Sequence, residues 1–212
     1  MIRVKICGIT RPQDAIAAAD AGADAIGLVF AKSPRQITPA RAREIVDSLP
    51  PFIAAVGVFV NARPSTICRI AEVVGLTAVQ LHGDESVANI AELGPLRIIK
   101  ALRVRNRTFV DDIARVRDLG VAAVLLDAFS PTARGGSGKR FDWDLVNQAR
   151  RAGALDDAPP LILAGGLNPQ NVKAAIRTVR PWGVDVSGGV ELSPGMKSAE
   201  LIERFIATAK SA

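Results

Sequence analysis

One unit recurs along these 212 residues. A helix-like run ends near a glycine, and a short Val/Ile/Leu/Ala run follows. Ala21-Gly22-Ala23-Asp24-Ala25-Ile26-Gly27-Leu28-Val29-Phe30 reads this way. So do Val74-Gly75-Leu76-Thr77-Ala78-Val79-Gln80-Leu81-His82 and Leu119-Gly120-Val121-Ala122-Ala123-Val124-Leu125-Leu126-Asp127. The glycine suits a helix C-terminus. The near-continuous apolar run suits a strand covered on both faces, as in a parallel sheet. Read throughout, the pattern predicts eight strands, beginning near Val4, Ala25, Ile53, Ala78, Arg97, Val121, Leu161 and Val184. It predicts helices over Gln13–Ala21, Pro39–Leu49, Pro64–Val74, Ser86–Leu93, Phe109–Leu119, Trp143–Ala152, Pro169–Val179 and Ser198–Lys210. Several open with proline in or near the first turn, where its missing N–H costs nothing. Strict alternation of strand and helix implies parallel pairing through right-handed crossovers. Eight units of roughly 25 residues close into a small (β/α)8 TIM barrel, one α/β catalytic domain over residues 1–212. An open doubly wound sheet is the alternative, but its usual G-x-G-x-x-G turn after the first strand is absent.

Charge and composition narrow the class. No segment has 18 consecutive apolar residues, so no membrane span is expected. The first residues enter a strand pattern directly, so no cleavable leader is expected. Two cysteines make no disulfide framework, and a reducing, cytoplasmic setting is the default. The net charge of +6 raises the idea of a nucleic-acid partner. The arginines are scattered, however, and aromatics make up 4% with no tyrosine, so stacking platforms are scarce. A basic surface on a soluble enzyme is the better reading, and a basic enzyme with an anionic small-molecule substrate fits between the two; a monomer or a homodimer is expected.

In a barrel of parallel strands, chemistry collects at the strand C-terminal ends. The first strand ends in Cys7, followed by Gly8-Ile9-Thr10. The second leads into Ser33-Pro34-Arg35, the third gives Asn61, the fourth His82 and the sixth Asp127. The seventh gives Ala164-Gly165-Gly166 and the eighth Ser187-Gly188-Gly189. An isolated cysteine is usually a small buried hydrophobe. At a strand end facing a phosphate site, Cys7 reads instead as a reactive thiol, which requires a lowered pKa to act as a base or nucleophile. Cys68, inside a helical run, reads as packing. Asp127 either caps the following turn or acts as a general acid, since a carboxyl in a partly dry mouth holds its proton more tightly. Arg35 is a surface arginine or a planar fork for a carboxylate. A lone histidine such as His82 is more often hydrogen-bonded than catalytic, and metal ligation lacks partners. Two glycine pairs after strands seven and eight stand where barrels bind phosphate with backbone N–H groups. Residues 128–141, with Gly135-Gly136-Ser137-Gly138, form either a plain connection or a mobile lid.

Taken together, these motifs resemble the phosphoribosylanthranilate isomerase family of tryptophan biosynthesis over essentially the whole chain. They are Lys5-Ile6-Cys7-Gly8-Ile9-Thr10, Gly27-Leu28-Val29-Phe30 with Ser33-Pro34-Arg35, Val56-Gly57-Val58-Phe59-Val60-Asn61 and Gln80-Leu81-His82-Gly83. Leu126-Asp127, Gly135-Gly136-Ser137-Gly138 with Phe141-Asp142-Trp143, Leu163-Ala164-Gly165-Gly166-Leu167 and Val184-Asp185-Val186-Ser187-Gly188-Gly189-Val190-Glu191 follow in order. The resemblance implies an Amadori rearrangement with Cys7 as general base and Asp127 as general acid. It implies that Arg35 and His82 bind the substrate, Arg35 at the anthranilate carboxylate. Gly165, Gly166, Ser187, Gly188 and Gly189 would hold the phosphate. Both chemical steps are proton transfers, so no metal or redox cofactor is needed. Two departures stand out: the family more often has Ser-Ser-Gly where this chain has Ser187-Gly188-Gly189, and often an acidic residue where Ser198 follows Lys197. The nearest rival, the histidine-pathway isomerase, performs the same rearrangement on a related phosphoribosyl compound but uses an aspartate at the position of Cys7. Indole-glycerol-phosphate synthase would need a lysine acid, for which Lys5 and Lys100 are available.

Overall fold

The computed structural model describes residues 1–128 and 141–212. The glycine-rich stretch Gly135–Gly138, read above as connection or lid, lies outside them. Eight parallel strands close into a barrel in chain order. They are β1 (Arg3–Cys7), β2 (Ala25–Val29), β3 (Ala54–Phe59), β4 (Ala78–Leu81), β5 (Ile98–Val104), β6 (Ala123–Ala128), β7 (Leu161–Leu163) and β8 (Gly183–Val186). Helices α1 (Pro12–Asp20), α2 (Pro39–Asp47), α3 (Pro64–Val74), α4 (Val87–Ala91), α5 (Phe109–Arg117), α6 (Asp144–Arg151), α7 (Val172–Val179) and α8 (Ala199–Lys210) alternate with them. The predicted barrel is thus what forms, with strand starts displaced by no more than two residues. Gly22, Gly75 and Gly120 turn left-handed at φ +91°, +76° and +67°, ending α1, α3 and α5 as the repeat pattern implied. Prolines stand at the start of α1, α2 and α3, and the side chains of Thr38, Ser86 and Ser198 cap α2, α4 and α8.

Two elements differ from the sequence reading. Helix α7 starts at Val172 rather than Pro169, because the Asn168 side chain accepts from the amides of Gln170 and Asn171 at 3.0 and 3.1 Å and holds a turn there. After β8, a single 3-10 turn (Gly188–Val190) leads into an antiparallel hairpin, β9 (Glu191–Ser193) with β10 (Met196–Lys197). These strands are too short to show a period, and Pro194-Gly195 was their one sequence signal.

Register decides what faces inward. Around the barrel, Lys5 pairs with Ala25 and Asp185, Cys7 with Gly27, and Gly27 with Val56. Val58 pairs with Gln80, and Gln80 with Ile99. Ala101 pairs with Leu125, and Leu125 with Ile162. One parity of every strand therefore shares the interior. There Val56, Ile99, Ala101, Ala123, Leu125, Ile162 and Ala164 form a small apolar cluster. The opposite parity, with Val4, Ile6, Leu81, Val124, Leu126, Leu163 and Val184, joins the helices in the large core between barrel and outer ring. Since the side-chain period of a strand is two, polar residues on the inner parity must meet inside the barrel. Among the described residues, no helix is long and apolar enough to cross a membrane.

Candidate active site

Strand β1 brings two inward residues to the barrel, Lys5 and, one pleat higher, Cys7. Lys5 Nζ donates to Asp185 Oδ1 on β8 at 2.7 Å, with both side chains buried. Burial alone would lower the Lys5 pKa; the Asp185 carboxylate and the neighbouring Cys7 more than reverse this and leave it raised. The Cys7 thiol is itself buried. Burial pushes its pKa up; Lys5 and Lys197 pull it down, Asp185 opposes them, and the net shift is upward. The sequence reading required a lowered value. The difference arises because an ion pair already neutralised within itself cannot offset the loss of water around the thiol.

Strands β4 and β6 supply the second group. His82 Nε2 lies 3.1 Å from Asp127 Oδ2, and His82 Nδ1 lies 2.9 Å from Gln80 Nε2. Asp127 Oδ1 also accepts from the amide of Ala128 at 2.8 Å. All three side chains are buried. Asp127 thus touches the amide of the next residue in its strand and also faces His82; the turn it was read as capping lies outside the described residues. Gly165, at φ +85°, lets β7 approach: a Cβ there would stand 2.6 Å from the Ala128 nitrogen and 2.9 Å from Asp127 Oδ1. No other residue takes that conformation beside that carboxylate without strain.

Arg35 lies across the end of β1, where a side chain on Gly8 would collide with its methylenes. Its fork is engaged: Nε and Nη2 donate to the two oxygens of Glu191 at 2.8 and 2.6 Å. Glu191 Oε1 also accepts from Lys197 Nζ at 2.8 Å and from the Gly195 amide at 3.2 Å. Lys197 Nζ further donates to the Ser187 carbonyl at 3.1 Å. Burial would raise the Glu191 pKa, but hydrogen bonds from Arg35 and Lys197 hold it below the ordinary range. Burial lowers the Lys197 pKa despite Glu191. Arg35 is therefore neither a solvated surface residue nor a fork with both teeth free.

The two glycine loops meet. A Cβ on Gly189 would overlap the Leu167 carbonyl, so the loops after β7 and β8 touch through bare backbone. Asn171 Nδ2 donates to the Gly166 carbonyl at 2.9 Å and its Oδ1 accepts from the Asn168 amide at 2.9 Å, fixing the first loop. Gly188 and Gly189 open the 3-10 turn, where the first N–H groups have no acceptor within the helix. Ser187 Oγ lies beside Gly8.

The structure thus gathers Cys7, Arg35, Ser187, Gly188 and Gly189 on the β1–β8 side and His82 and Asp127 on the β4–β6 side, with Gly165 and Gly166 between. Sequence reasoning passed over Gln80, Asp185, Glu191, Lys197 and Asn171. Gln80 and Asp185 carried a readable signal: each is polar inside an apolar strand, on the parity of a site residue. Lys197 entered the sequence reading only as the residue before Ser198, a departure that touches the start of the last helix. Ser198 is indeed only the cap of α8, whereas Lys197 reaches Ser187 and Glu191. Neither lysine that a synthase would need as an acid is free: Lys5 is spent on Asp185. Lys100 Nζ is spent on the Gly83 carbonyl and Glu85, each at 2.8 Å. Among the described residues, no three His, Cys, Asp or Glu side chains are placed to hold a metal.

Comparison with known proteins agrees over the full length. The family model for N-(5'-phosphoribosyl)anthranilate isomerase matches residues 4–208. The isomerase of Trichlorobacter lovleyi is 48% identical over all of both chains. A crystal structure of phosphoribosyl anthranilate isomerase with reduced 1-(o-carboxyphenylamino)-1-deoxyribulose 5-phosphate superposes with a TM-score of 0.87 at 43% identity, covering both chains completely. Monomers made from the dimeric Thermotoga maritima enzyme superpose with a TM-score of 0.85 at 42% identity, again over both chains. With its barrel, its strand-end thiol and carboxyl and its paired glycine loops in the places the motifs predicted, the chain belongs to the N-(5'-phosphoribosyl)anthranilate isomerase family.

Proposed function

We infer that residues 1–212 form one catalytic barrel converting N-(5-phosphoribosyl)anthranilate to 1-(2-carboxyphenylamino)-1-deoxyribulose 5-phosphate. The observation that carries this reading is a thiol and a carboxyl at strand ends of one barrel mouth, beside touching glycine loops. The phosphate docks on the backbone of Gly165, Gly166, Gly188 and Gly189, with the Ser187 hydroxyl at hand. Arg35, oriented by Glu191, turns its remaining N–H groups to the anthranilate carboxylate. Asp127 protonates the furanose oxygen as the C1–O bond breaks, and the anilino nitrogen lone pair forms the C1=N bond of a Schiff base. Cys7 then takes the C2 proton. The C2–H electrons form a C1=C2 bond and neutralise the iminium nitrogen, giving an enolamine. Loss of the O2 proton and protonation at C1 complete the ketone. The Schiff-base cation forms before the thiol must act, and its charge favours the thiolate that burial disfavours. His82, 3.1 Å from Asp127, takes part in binding the substrate.

A working thiol fits a cytoplasmic setting, since an oxidising compartment would consume it. The assembly expected is a monomer or a homodimer, read by light scattering as 22.3 kDa or twice that. The function is tested by supplying purified protein with freshly made substrate, without added metal, and identifying the product by chromatography and mass. Enzyme-dependent formation of the ketose supports the reading; spontaneous hydrolysis to anthranilate alone refutes it.

A further inference from the structure

The mechanism above leaves Gln80 unused, although it is almost fully buried and sits on the inner parity of β4. Its amide is oriented at a sacrifice. Nε2 faces His82 Nδ1 at 2.9 Å, while Oε1 is buried with no hydrogen-bond partner among the described residues. Buried polar atoms are normally satisfied, so an orphaned carbonyl oxygen marks an amide whose orientation is dictated by its other end. A primary amide nitrogen only donates. His82 Nδ1 therefore accepts and carries no proton. The ring's single hydrogen lies on Nε2, which faces Asp127 Oδ2 at 3.1 Å.

This has a consequence for the acid. Asp127 accepts from His82 through Oδ2 and from the Ala128 amide through Oδ1. With a hydrogen already on Nε2, a protonated Asp127 cannot donate to the ring, and its acidic proton is left for the barrel mouth. Turning the Gln80 amide would put Oε1 against Nδ1 and call for a hydrogen there. The ring would then be an imidazolium, or Asp127 would spend its proton on Nε2. The surroundings also fix His82: its amide donates to the Phe59 carbonyl on β3 at 2.8 Å. From β5, Lys100 brackets it by bonding the carbonyls of Leu81 and Gly83 at 3.4 and 2.8 Å, its charge met by Glu85 at 2.8 Å.

We propose that Gln80 is a positioning residue: it holds His82 as the neutral Nε2–H tautomer and thereby directs the Asp127 proton toward substrate. The proposal deepens the isomerase reading and rests on it for its catalytic half.

His82 is the chain's only histidine, so histidine-specific 15N labelling reports on it alone. The spectrum, taken at pH 7 without substrate, is expected to show a protonated Nε2 and a bare Nδ1. Gln80→Glu, which offers Nδ1 an acceptor, is expected to convert the ring to imidazolium at the same pH. It should lower kcat by about a hundredfold with KM changed much less, the scale on which misplaced catalytic groups act. Gln80→Met, which removes the donor, should give mixed tautomers and a smaller loss of kcat. A wild-type ring protonated on Nδ1 overturns the proposal. So does a folded Gln80→Glu protein whose ring stays neutral or whose kcat stays within twofold of wild type. A wild-type protein with the expected ring but no turnover would instead sink the isomerase reading, and the catalytic half with it.

Discussion

At the scale of single residues, the barrel interior is governed by pairs of charges without water. Lys5 and Asp185 meet at 2.7 Å with side chains only 6% and 9% exposed. Removing one partner leaves the other buried and unpaired, so Lys5→Met should destabilise the protein by about 3–5 kcal/mol in urea unfolding. Lys5→Met with Asp185→Leu should recover much of that; a single mutant as stable as wild type would contradict the pairing. Glu191 gives a pH signature. Its folded pKa lies below the ordinary carboxylate value of 4.5, so it is ionised in the folded state where the unfolded chain takes up a proton. Its stabilisation is present above that value and lost as pH falls through the folded pKa. Thermal melts of wild type should therefore fall below about pH 4.5 more steeply than those of Glu191→Gln. Equal slopes would show that Arg35 and Lys197 do not hold it. Cys7 and Asp127 were legible because each stands at a strand end, and Arg35 because it lies in the loop that follows one. Gln80 and Asp185 were legible only as polar residues on the inner parity; what they meet depends on which strand lies opposite, and that is set by register rather than by local sequence.

The elements were legible to the degree that they repeat. Eight apolar runs and glycine-terminated helices predict a closed barrel because a parallel sheet with its crossovers has few other ways to bury both faces. The β9–β10 hairpin escaped, being held by contacts distant in sequence. Thr10 Oγ1 donates to the Gly195 carbonyl at 2.6 Å, and the Lys197 amide donates to Asp14 at 3.2 Å. It is this hairpin that carries Glu191 and Lys197 to Arg35. The paired glycine loops allow a sharper test. Because Gly189 abuts the Leu167 carbonyl, Gly189→Ala must part the loops after β7 and β8. The expected outcome is a KM raised by roughly tenfold or more, with inorganic phosphate no longer raising Tm as bound ligand does in wild type. An unchanged KM would place the phosphate elsewhere.

For the whole molecule, a net charge of +6 faces a substrate bearing both a phosphate and a carboxylate. Long-range attraction raises the encounter rate and is screened by salt. At low substrate, kcat/KM should fall as ionic strength rises from about 0.01 to 0.15 M, while kcat changes little. A flat response would mean that the basic surface does not steer the substrate. One thiol and one carboxyl, presented by β1 and β6 of a single barrel, are expected to carry the proton transfers at C2 and at the furanose oxygen. The most direct measurement follows the loss of substrate fluorescence under single-turnover conditions for wild type, Cys7→Ala and Asp127→Asn, each shown to be folded by circular dichroism. Each variant is expected to slow by roughly 10²–10⁴-fold or more while still binding the substrate. Turnover at near wild-type rates in either folded variant would contradict it.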